Sequence, residues 1–588
     1  MMKTLNRPPA RADGNDLDAR RWRVYLVAAV ITGVSLVLTA RLVYLQAIEN
    51  GHFRTMATDE HWRSTVIPPR RGDIVDSNGI PLATSVTYQS LYASTTQIED
   101  PAHVASVLAP ILGERAADLQ DTLSKQQLAP VLVKAWLPDD VASKVNQLGI
   151  DGLFLQFEPK RVYPQGNLAA QVLGVVGADN NGLSGLELQF NGDIAGKPGG
   201  LVADRDTAGD AIALGPREYT APIDGSTLTL TIDRYVQWVA EHELDAALEK
   251  HHAVGGSVVV LDPSSGAVLA MVGRPTFRED DPKLYSAQSV SSFNIPAVNA
   301  AYEPGSTFEI ISMAAALDTG TVSPQTSFDD TGSLTYFGGT VHDAVSRPPG
   351  PETMTQTLLS SSNVGAAWAA THVGAPNFYQ YVQAFGIGRS TDIQLPGEVS
   401  GILHLPTDPD WYPFDLATNS FGQGVSATPL QMAVAVAAVA DGGTLMKPYI
   451  VKKVAGPDGT RVYYPTVEGQ VMHAETAANL TRMLVAVVDG ATMEESPLAR
   501  VPGYAVAGMA GGAQVPVSGG DSADDTITSF VGYSPAEAPR FVILVRIDQP
   551  KDAALGEAMA APVFGAIAQQ LLNYDQVPPT RPVPGTGT

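Results

Sequence analysis

From Val24 to Ala40 the chain carries no charged residue, and Arg23 and Arg41 bracket the run. With Leu42-Val43-Tyr44-Leu45 beyond Arg41, it approaches the roughly 20 apolar residues that cross a bilayer as a helix. This constrains the chain more than any other feature, because it sets residues 24–44 apart as a transmembrane anchor with residues 1–23 as a tail. A cleaved signal peptide would look similar, but a small-residue cleavage site is missing and the preceding tail is long. That tail holds Lys3, Arg7, Arg11, Arg20, Arg21 and Arg23 against Asp13, Asp16 and Asp18. Arginines at the membrane edge favour a cytoplasmic N-terminus. The expectation is a single-pass protein of the cell inner (cytoplasmic) membrane, with its bulk extracytoplasmic, in a periplasm where the cell has an outer membrane.

The length of 588 residues calls for several domains, and 44% hydrophobic residues suffice for substantial cores. A formal charge of −24 argues against nucleic acid as a partner. Zero cysteines exclude disulfides and thiolate metal sites, and the ten histidines show no HExxH-like spacing. No metal or cofactor is expected.

Along the body, periodicity predicts an α+β protein. Residues 45–220 alternate short runs with glycine and proline breaks, and 96–148 has helical spacing rich in Ala, Leu and Gln. From Thr227 the chain reads as a strand to Ile232, then an amphipathic helix from Tyr235 to Glu249. Ser257–Asp262 and Ala267–Val272 form a hairpin turned at Pro263-Ser264-Ser265-Gly266. Phe541–Val545 is a late strand, 553–572 a C-terminal helix, and the proline-rich 576–588 a flexible tail.

The chemistry centres on Tyr302-Glu303-Pro304-Gly305-Ser306-Thr307-Phe308-Glu309. Pro304-Gly305 is a good helix entry, Ile310–Leu317 continues an apolar helix, and Gly320 stops it. A serine hydroxyl becomes a nucleophile only when a neighbouring base takes its proton. In S-x-x-K enzymes that group is a lysine one turn later on the same helix face; here the position is Glu309. Ser361-Ser362-Asn363 fits S-x-N. Where a K-T-G strand belongs stands Met509-Ala510-Gly511-Gly512, so the lysine has become methionine and the threonine alanine.

These motifs resemble those of the class B penicillin-binding proteins, the monofunctional peptidoglycan D,D-transpeptidases, and most closely the division-type (septal) branch. Arg71-Gly72-Asp73-Ile74-Val75-Asp76-Ser77-Asn78-Gly79 is similar to the R-G-x-I-x-D-R-N-G segment of that family, with serine in place of arginine. Arg161-Val162-Tyr163-Pro164 and Gly182-Leu183-Ser184-Gly185-Leu186-Glu187 resemble its non-catalytic signatures. Leu230-Thr231-Ile232-Asp233, Ser420-Phe421-Gly422-Gln423-Gly424 and Thr428-Pro429-Leu430-Gln431 resemble its transpeptidase framework. The resemblance implies an elongated pedestal over residues 45–220. It also implies a penicillin-binding domain, an antiparallel sheet flanked by helices, over 221–575. Ser306 is then the former nucleophile position, with Glu309 replacing the lysine base and Ser361 and Asn363 as catalytic-motif remnants. Met509, Ala510, Gly511 and Gly512 are the degenerate substrate-binding strand and oxyanion edge, where the backbone N–H groups of Ser306 and Gly512 would face an oxyanion.

Each residue also has a plainer role. Ser306 suits a helix N-cap, Glu309 a helix start near the positive end of the dipole, and Ser361 and Asn363 a hydrogen-bonded cleft wall. Trp368 stands where division-type relatives carry a lysine, and an aromatic there fills part of a cleft. Glutamate, with an ordinary pKa near 4.3, is a weak base toward serine unless burial raises it. Stem peptides and β-lactams bring a carboxylate to this site. Unit charges roughly 4 Å apart interact by about 4 kcal/mol at an effective dielectric of about 20, so exchanging lysines for Glu309 and Met509 works against the usual ligand.

The reading favoured by these losses is a noncatalytic pseudo-transpeptidase in septal peptidoglycan synthesis, acting by protein binding. The resemblance implies a multispanning lipid II glycan polymerase and division proteins as partners. The alternatives are an active serine D,D-transpeptidase with altered base chemistry at Ser306, and a β-lactam sensor or hydrolase.

Overall fold

The computed structural model describes residues 15–50, 62–127, 129–177, 179–204, 217–278, 292–345, 348–490, 496–517, 520–551 and 559–582. The chain divides into two compact units, Met1–Ile67 with Pro198–Pro222, and Pro68–Lys197 with Ile223–Thr588.

In the first unit a helix runs from Asn15 to Val43 and continues as a wider π-type turn, Tyr44–Ile48. The stretch Arg21–Ile48 is the one described helix long and apolar enough to cross a membrane, and its side chains are unburied by protein. The same unit holds a three-stranded antiparallel sheet in the order Trp62–Ile67, Gly199–Asp204, Arg217–Thr220.

The second unit carries the site. Its larger sheet runs through Gly459–Val462, Val451–Gly456, Thr227–Leu230, Ile74–Val75, Pro81–Ala93 and Val131–Leu137, with Leu153–Val162 also paired to Pro81–Ala93. One parallel pairing, Ile74–Val75 with Thr227–Leu230, knits segments distant in sequence into that sheet. The helical spacing read over 96–148 holds for Pro101–Leu112, Ala116–Leu123 and Asp139–Gln147. It fails for Val131–Leu137, which is a strand antiparallel to Pro81–Ala93. The β-branched and aromatic residues of Val131-Leu132-Val133-Lys134-Ala135-Trp136-Leu137 fit a pleated surface, and a long neighbouring strand supplies the partner. Leu91, Ala93 and Leu137 close a small core beneath the three helices.

The site-bearing sheet has five antiparallel strands in the order Val268–Arg274, Gly255–Leu261, Phe541–Asp548, Gly520–Ser534, Ala507–Val517. Side chains alternate between two cores, as the period of two requires. Val258, Val260, Ile543, Val545 and Phe530 face one core, shared with the helices Arg234–His251 and Ala560–Tyr574. Val259, Leu261, Leu544 and Val531 face the other, filled by the helices Glu309–Asp318, Asn363–Val373 and Pro429–Ala440. The C-terminal helix begins at Ala560, and residues 553–558 of the expected 553–572 helix lie outside the described residues.

The beginning of the expected tail is held rather than free. The backbone N–H groups of Thr580 and Arg581 donate to the Gly503 carbonyl, and the Arg581 guanidinium lies 2.8 Å from Asp489. Residues 583–588 lie outside the described residues.

Candidate active site

The serine turn is built by close backbone approaches. Tyr302 and Ala427 exchange two backbone hydrogen bonds of 3.0 Å, the Gly305 N–H donates to the Gly422 carbonyl, and the Gly424 N–H donates to Glu303 Oε1 at 2.9 Å. Gly305 sits at φ +57°, and a Cβ there would lie 2.3 Å from the Gly512 carbonyl oxygen. A Cβ on Gly422 would in turn lie 2.3 Å from the Gly305 oxygen. Glycine is needed at both places, for conformation and for space. Ser312 Oγ donates to the Ser420 carbonyl at 2.6 Å, fixing the following helix to the same Ser420–Gly424 loop.

Gly305–Phe308 is a 3₁₀ turn, and the α-helix starts at Glu309. In a 3₁₀ turn residues i and i+3 eclipse, so Ser306 and Glu309 share one face. Opposite them is Ser361, which caps the C-terminus of the helix Met354–Ser360 in the left-handed region at φ +48°. Its Oγ lies 2.6 Å from Ser306 Oγ and 3.1 Å from Glu309 Oε1. Ser306 and Ser361 are half-buried, while Glu309 is only 1% exposed.

The remaining site residues are engaged elsewhere. Asn363 Nδ2 donates to the His342 carbonyl at 3.1 Å. Trp368 stacks on Phe328 with ring centroids 5.2 Å apart and packs against His372 at 4.1 Å. On the edge strand Met509 pairs with Val531 and Ala510 with Phe530. Both side chains are fully buried, Met509 in the helix-filled core and Ala510 in the core on the opposite face of the sheet. Gly511 and Gly512 follow against the serine turn, and a Cβ at Gly511 would lie 2.8 Å from the Pro304 carbonyl. The frame of strand, turn and helix is kept, with a carboxylate and a thioether at the two positions where the S-x-x-K and K-T-G patterns place lysine.

Several working residues were not singled out from sequence. Ser362 N-caps the helix Asn363–Val373, and its Oγ lies 3.0 Å from carboxylate oxygens of both Asp330 and Asp343. Asp343 also accepts from the Val364 N–H. No local pattern at 330 or 343 announces this, because both come from the short strands and turn before the helix.

Three recognised signatures meet away from the serine. Glu187 accepts from Arg71 Nε through one carboxylate oxygen and from Arg161 Nε at 2.7 Å through the other. The Arg71 guanidinium also donates to the Asn180 and Glu187 carbonyls and to Asn191 Oδ1, and Arg161 donates to the Gly72 carbonyl. Burial pulls the Arg71 pKa below its ordinary value, and the Glu187 carboxylate works against that shift. Among the described residues no cluster of three His, Asp or Glu is arranged to hold a metal ion.

A serine turn packed on the edge strand of a five-stranded antiparallel sheet, with helices on both faces, defines a penicillin-binding transpeptidase fold. The chain matches the family described as penicillin binding protein transpeptidase domain over residues 256–569, and the penicillin-binding protein dimerisation domain over 66–230. It is 33% identical over 559 residues to stage V sporulation protein D of Bacillus subtilis, covering 93% of this chain and 85% of that protein. It is 33% identical over 585 residues to penicillin-binding protein PbpB of Mycobacterium tuberculosis, covering 95% and 85%. Among solved structures, it resembles penicillin binding protein 3 of Mycobacterium tuberculosis complexed with aztreonam. That likeness has a TM-score of 0.68 at 29% identity and covers 88% of this chain and 99% of that one. A peptidoglycan synthetase from Bifidobacterium adolescentis gives a TM-score of 0.71 at 28% identity over 89% and 98%. The chain belongs to the class B penicillin-binding proteins, division-type branch.

Proposed function

We propose that this protein is a membrane-anchored pseudo-transpeptidase of septal peptidoglycan synthesis, noncatalytic toward stem peptides and acting by protein binding. The observation that carries this reading is the chemistry of the two lysine positions. Glu309 places a carboxylate beside Ser306 and Ser361, and Met509 places a buried apolar side chain on the edge strand. A donor that arrives with a carboxylate meets an anion and finds no cation at either position. The anchor helix and the pedestal carry surfaces for a multispanning lipid II glycan polymerase and other division proteins, and neither depends on lysine. The orientation follows from the arginines flanking the anchor, with the N-terminus cytoplasmic and the bulk outside the inner membrane. The test is incubation of the detergent-solubilised full chain with a fluorescent penicillin, followed by intact-mass spectrometry. The expected result is no stable adduct; stoichiometric acylation of Ser306 would overturn the reading.

A further inference from the structure

Among the described residues, the part of the larger sheet formed by Val131–Leu137, Pro81–Ala93 and Leu153–Val162 carries helices on one face only. Alternation along Pro81–Ala93 turns Leu91 and Ala93 toward those helices and Val86, Tyr88 and Tyr92 away from them. Cross-strand pairing sets Leu132 and Phe154 on either side of Tyr92, and the Tyr92 and Phe154 rings stack with centroids 5.9 Å apart. Trp136 joins this open face through a device that the core does not need. It sits at φ +53°, where the register with Pro81–Ala93 shifts between Gln89 and Leu91. Its backbone N–H donates to Ser90 Oγ at 3.1 Å, and its ring is not part of the core beneath the helices. A bulge re-aims a side chain, and a left-handed backbone is strained for tryptophan. The two charges of the face are already engaged within it. Lys160 Nζ lies 5.7 Å from the Tyr88 ring centroid and 5.3 Å from that of Trp136, and Tyr92 Oη donates to Glu158 Oε1 at 2.5 Å.

We propose that this open face docks one amphipathic helix of another protein, apolar on the side it buries and basic on the other. The proposal rests on the reading above that the protein acts by protein binding, and it names the surface and the kind of partner. Size selects the occupant. Val86 is 41%, Leu132 46%, Trp136 38% and Phe154 38% exposed. At about 150–250 Å² for a large side chain, they offer roughly 300 Å² of apolar surface, the scale of a functional patch. A stable contact with a second copy of this chain needs about 800 Å² from each partner. Three strands about 4.8 Å apart make a strip about 10 Å wide, which is the width of one helix. A helix laid there completes the layer that the sheet lacks on this side. Because both charges of the face are engaged, the buried stripe of that helix is apolar. The formal charge of −24 on the chain favours lysine and arginine on its solvent side.

The experiment expresses the full chain in its own cell with the photoreactive residue p-benzoylphenylalanine in place of Leu132 or of Phe154. Phe157, exposed on the same strand but pointing to the opposite side of the sheet, takes the same residue as the control. The expected result is a crosslink from positions 132 and 154 and none from 157. Peptide mapping should place it in a partner segment with apolar residues at i, i+3, i+4 and i+7. That segment, made as a synthetic peptide, should bind the full chain in phosphatidylcholine nanodiscs. Trp136→Glu and Val86→Glu should each weaken binding about tenfold or more, and Phe157→Glu should leave it unchanged. No crosslink from either position overturns the proposal, as does a crosslink to a second copy of this chain, to lipid, or to a segment without the helical period. Equal binding by the Trp136→Glu and Val86→Glu variants, each shown to be folded, overturns it too. Penicillin labelling of the same chain keeps the two readings apart: a penicilloyl adduct refutes the noncatalytic reading, whereas a missing helix crosslink refutes the docking face alone.

Discussion

Glu187→Gln is the substitution whose cost the structure specifies most closely. The side chains of Arg71 and Glu187 are fully buried and that of Arg161 is 2% exposed, so two guanidiniums share one carboxylate out of contact with water. Hydrogen bonds to charged groups contribute about 1.5–3 kcal/mol each net. Removing one partner of a buried ion pair costs about 3–5 kcal/mol, because the remaining charge stays buried without compensation. The glutamine variant keeps the shape and one carbonyl acceptor, so about 3 kcal/mol applies; Glu187→Ala should approach about 5. At roughly 2.1 cal/mol/K of unfolding entropy per residue, the second unit, about 500 residues long, shifts by about 1 °C per kcal/mol, which gives about 3 °C for Glu187→Gln. The assay is thermal unfolding of the full chain in detergent followed by near-UV circular dichroism. A chain of this size need not unfold in two states, so the quantity compared is the midpoint of the affected transition. Asp118→Asn breaks the exposed pair with Arg115 and serves as the control that should not move it. A Glu187→Gln midpoint within about 1 °C of wild type would refute the reasoning, since a buried guanidinium pair left without its carboxylate should cost about 3 kcal/mol.

Five further outcomes are expected. Ser306 should remain unacylated by penicillin in the purified full chain, and an adduct of the mass of the intact drug would show the site still accepts anionic donors. Glu309→Lys alone should not restore acylation, because Met509 and Ala510 still offer the ligand carboxylate no donor. The triple change with Met509→Lys and Ala510→Thr should restore it by more than the single changes combined. Met509 and Ala510 are both fully buried, so the threonine adds about 1–3 kcal/mol of overpacking and the lysine brings a charge into an apolar core at a larger cost; the triple variant must first be shown to be folded. A periplasmic reporter fused after residue 588 should be active only outside the cytoplasm, and cytoplasmic activity would reverse the topology. Last, burial raises the Asp318 pKa, but hydrogen bonds from Thr476, Tyr381 and His473 outweigh it and hold the carboxyl below its ordinary 3.8. Its contribution to stability is therefore present above 3.8 and lost as pH falls through the lower folded value, and Asp318→Asn should lose less stability than wild type across that acid window.

The parts of this molecule that were legible in the sequence are those whose cause is local. The anchor follows from a run of residues without charge, the hairpin Gly255–Leu261 with Val268–Arg274 from strand alternation around a turn, and the serine turn from proline and glycine before an apolar helix. The helix after Thr428 carries a capping box with Gln431, written in four adjacent residues. What was not legible depends on partners far along the chain. Val131–Leu137 fills a gap beside Pro81–Ala93, and no window over 96–148 contains that strand. Glu187 meets arginines 116 and 26 residues away, and each of the three signatures could be recognised without saying that they touch. The site shows the same division. Sequence identified Ser306, Glu309 and Ser361 as motif positions, but only the fold brings Ser361 between the other two.

That placement changes what the substitutions mean. In a sequence, Glu309 and Met509 read as two equivalent losses of a lysine. In the structure they are different events. Met509 is part of an apolar core and offers the cleft no polar group, so its change withdraws an interaction. Glu309 keeps a polar, proton-accepting group at the end of a serine–serine chain, so its change reverses a charge while retaining an acceptor. The edge strand thus presents an apolar side chain where the K-T-G pattern places a cation, and the 3₁₀ turn presents a carboxyl group where S-x-x-K places one. A charge count over the motifs merges these two effects, whereas penicillin labelling of Glu309→Lys and of Met509→Lys, each compared with wild type, measures them separately.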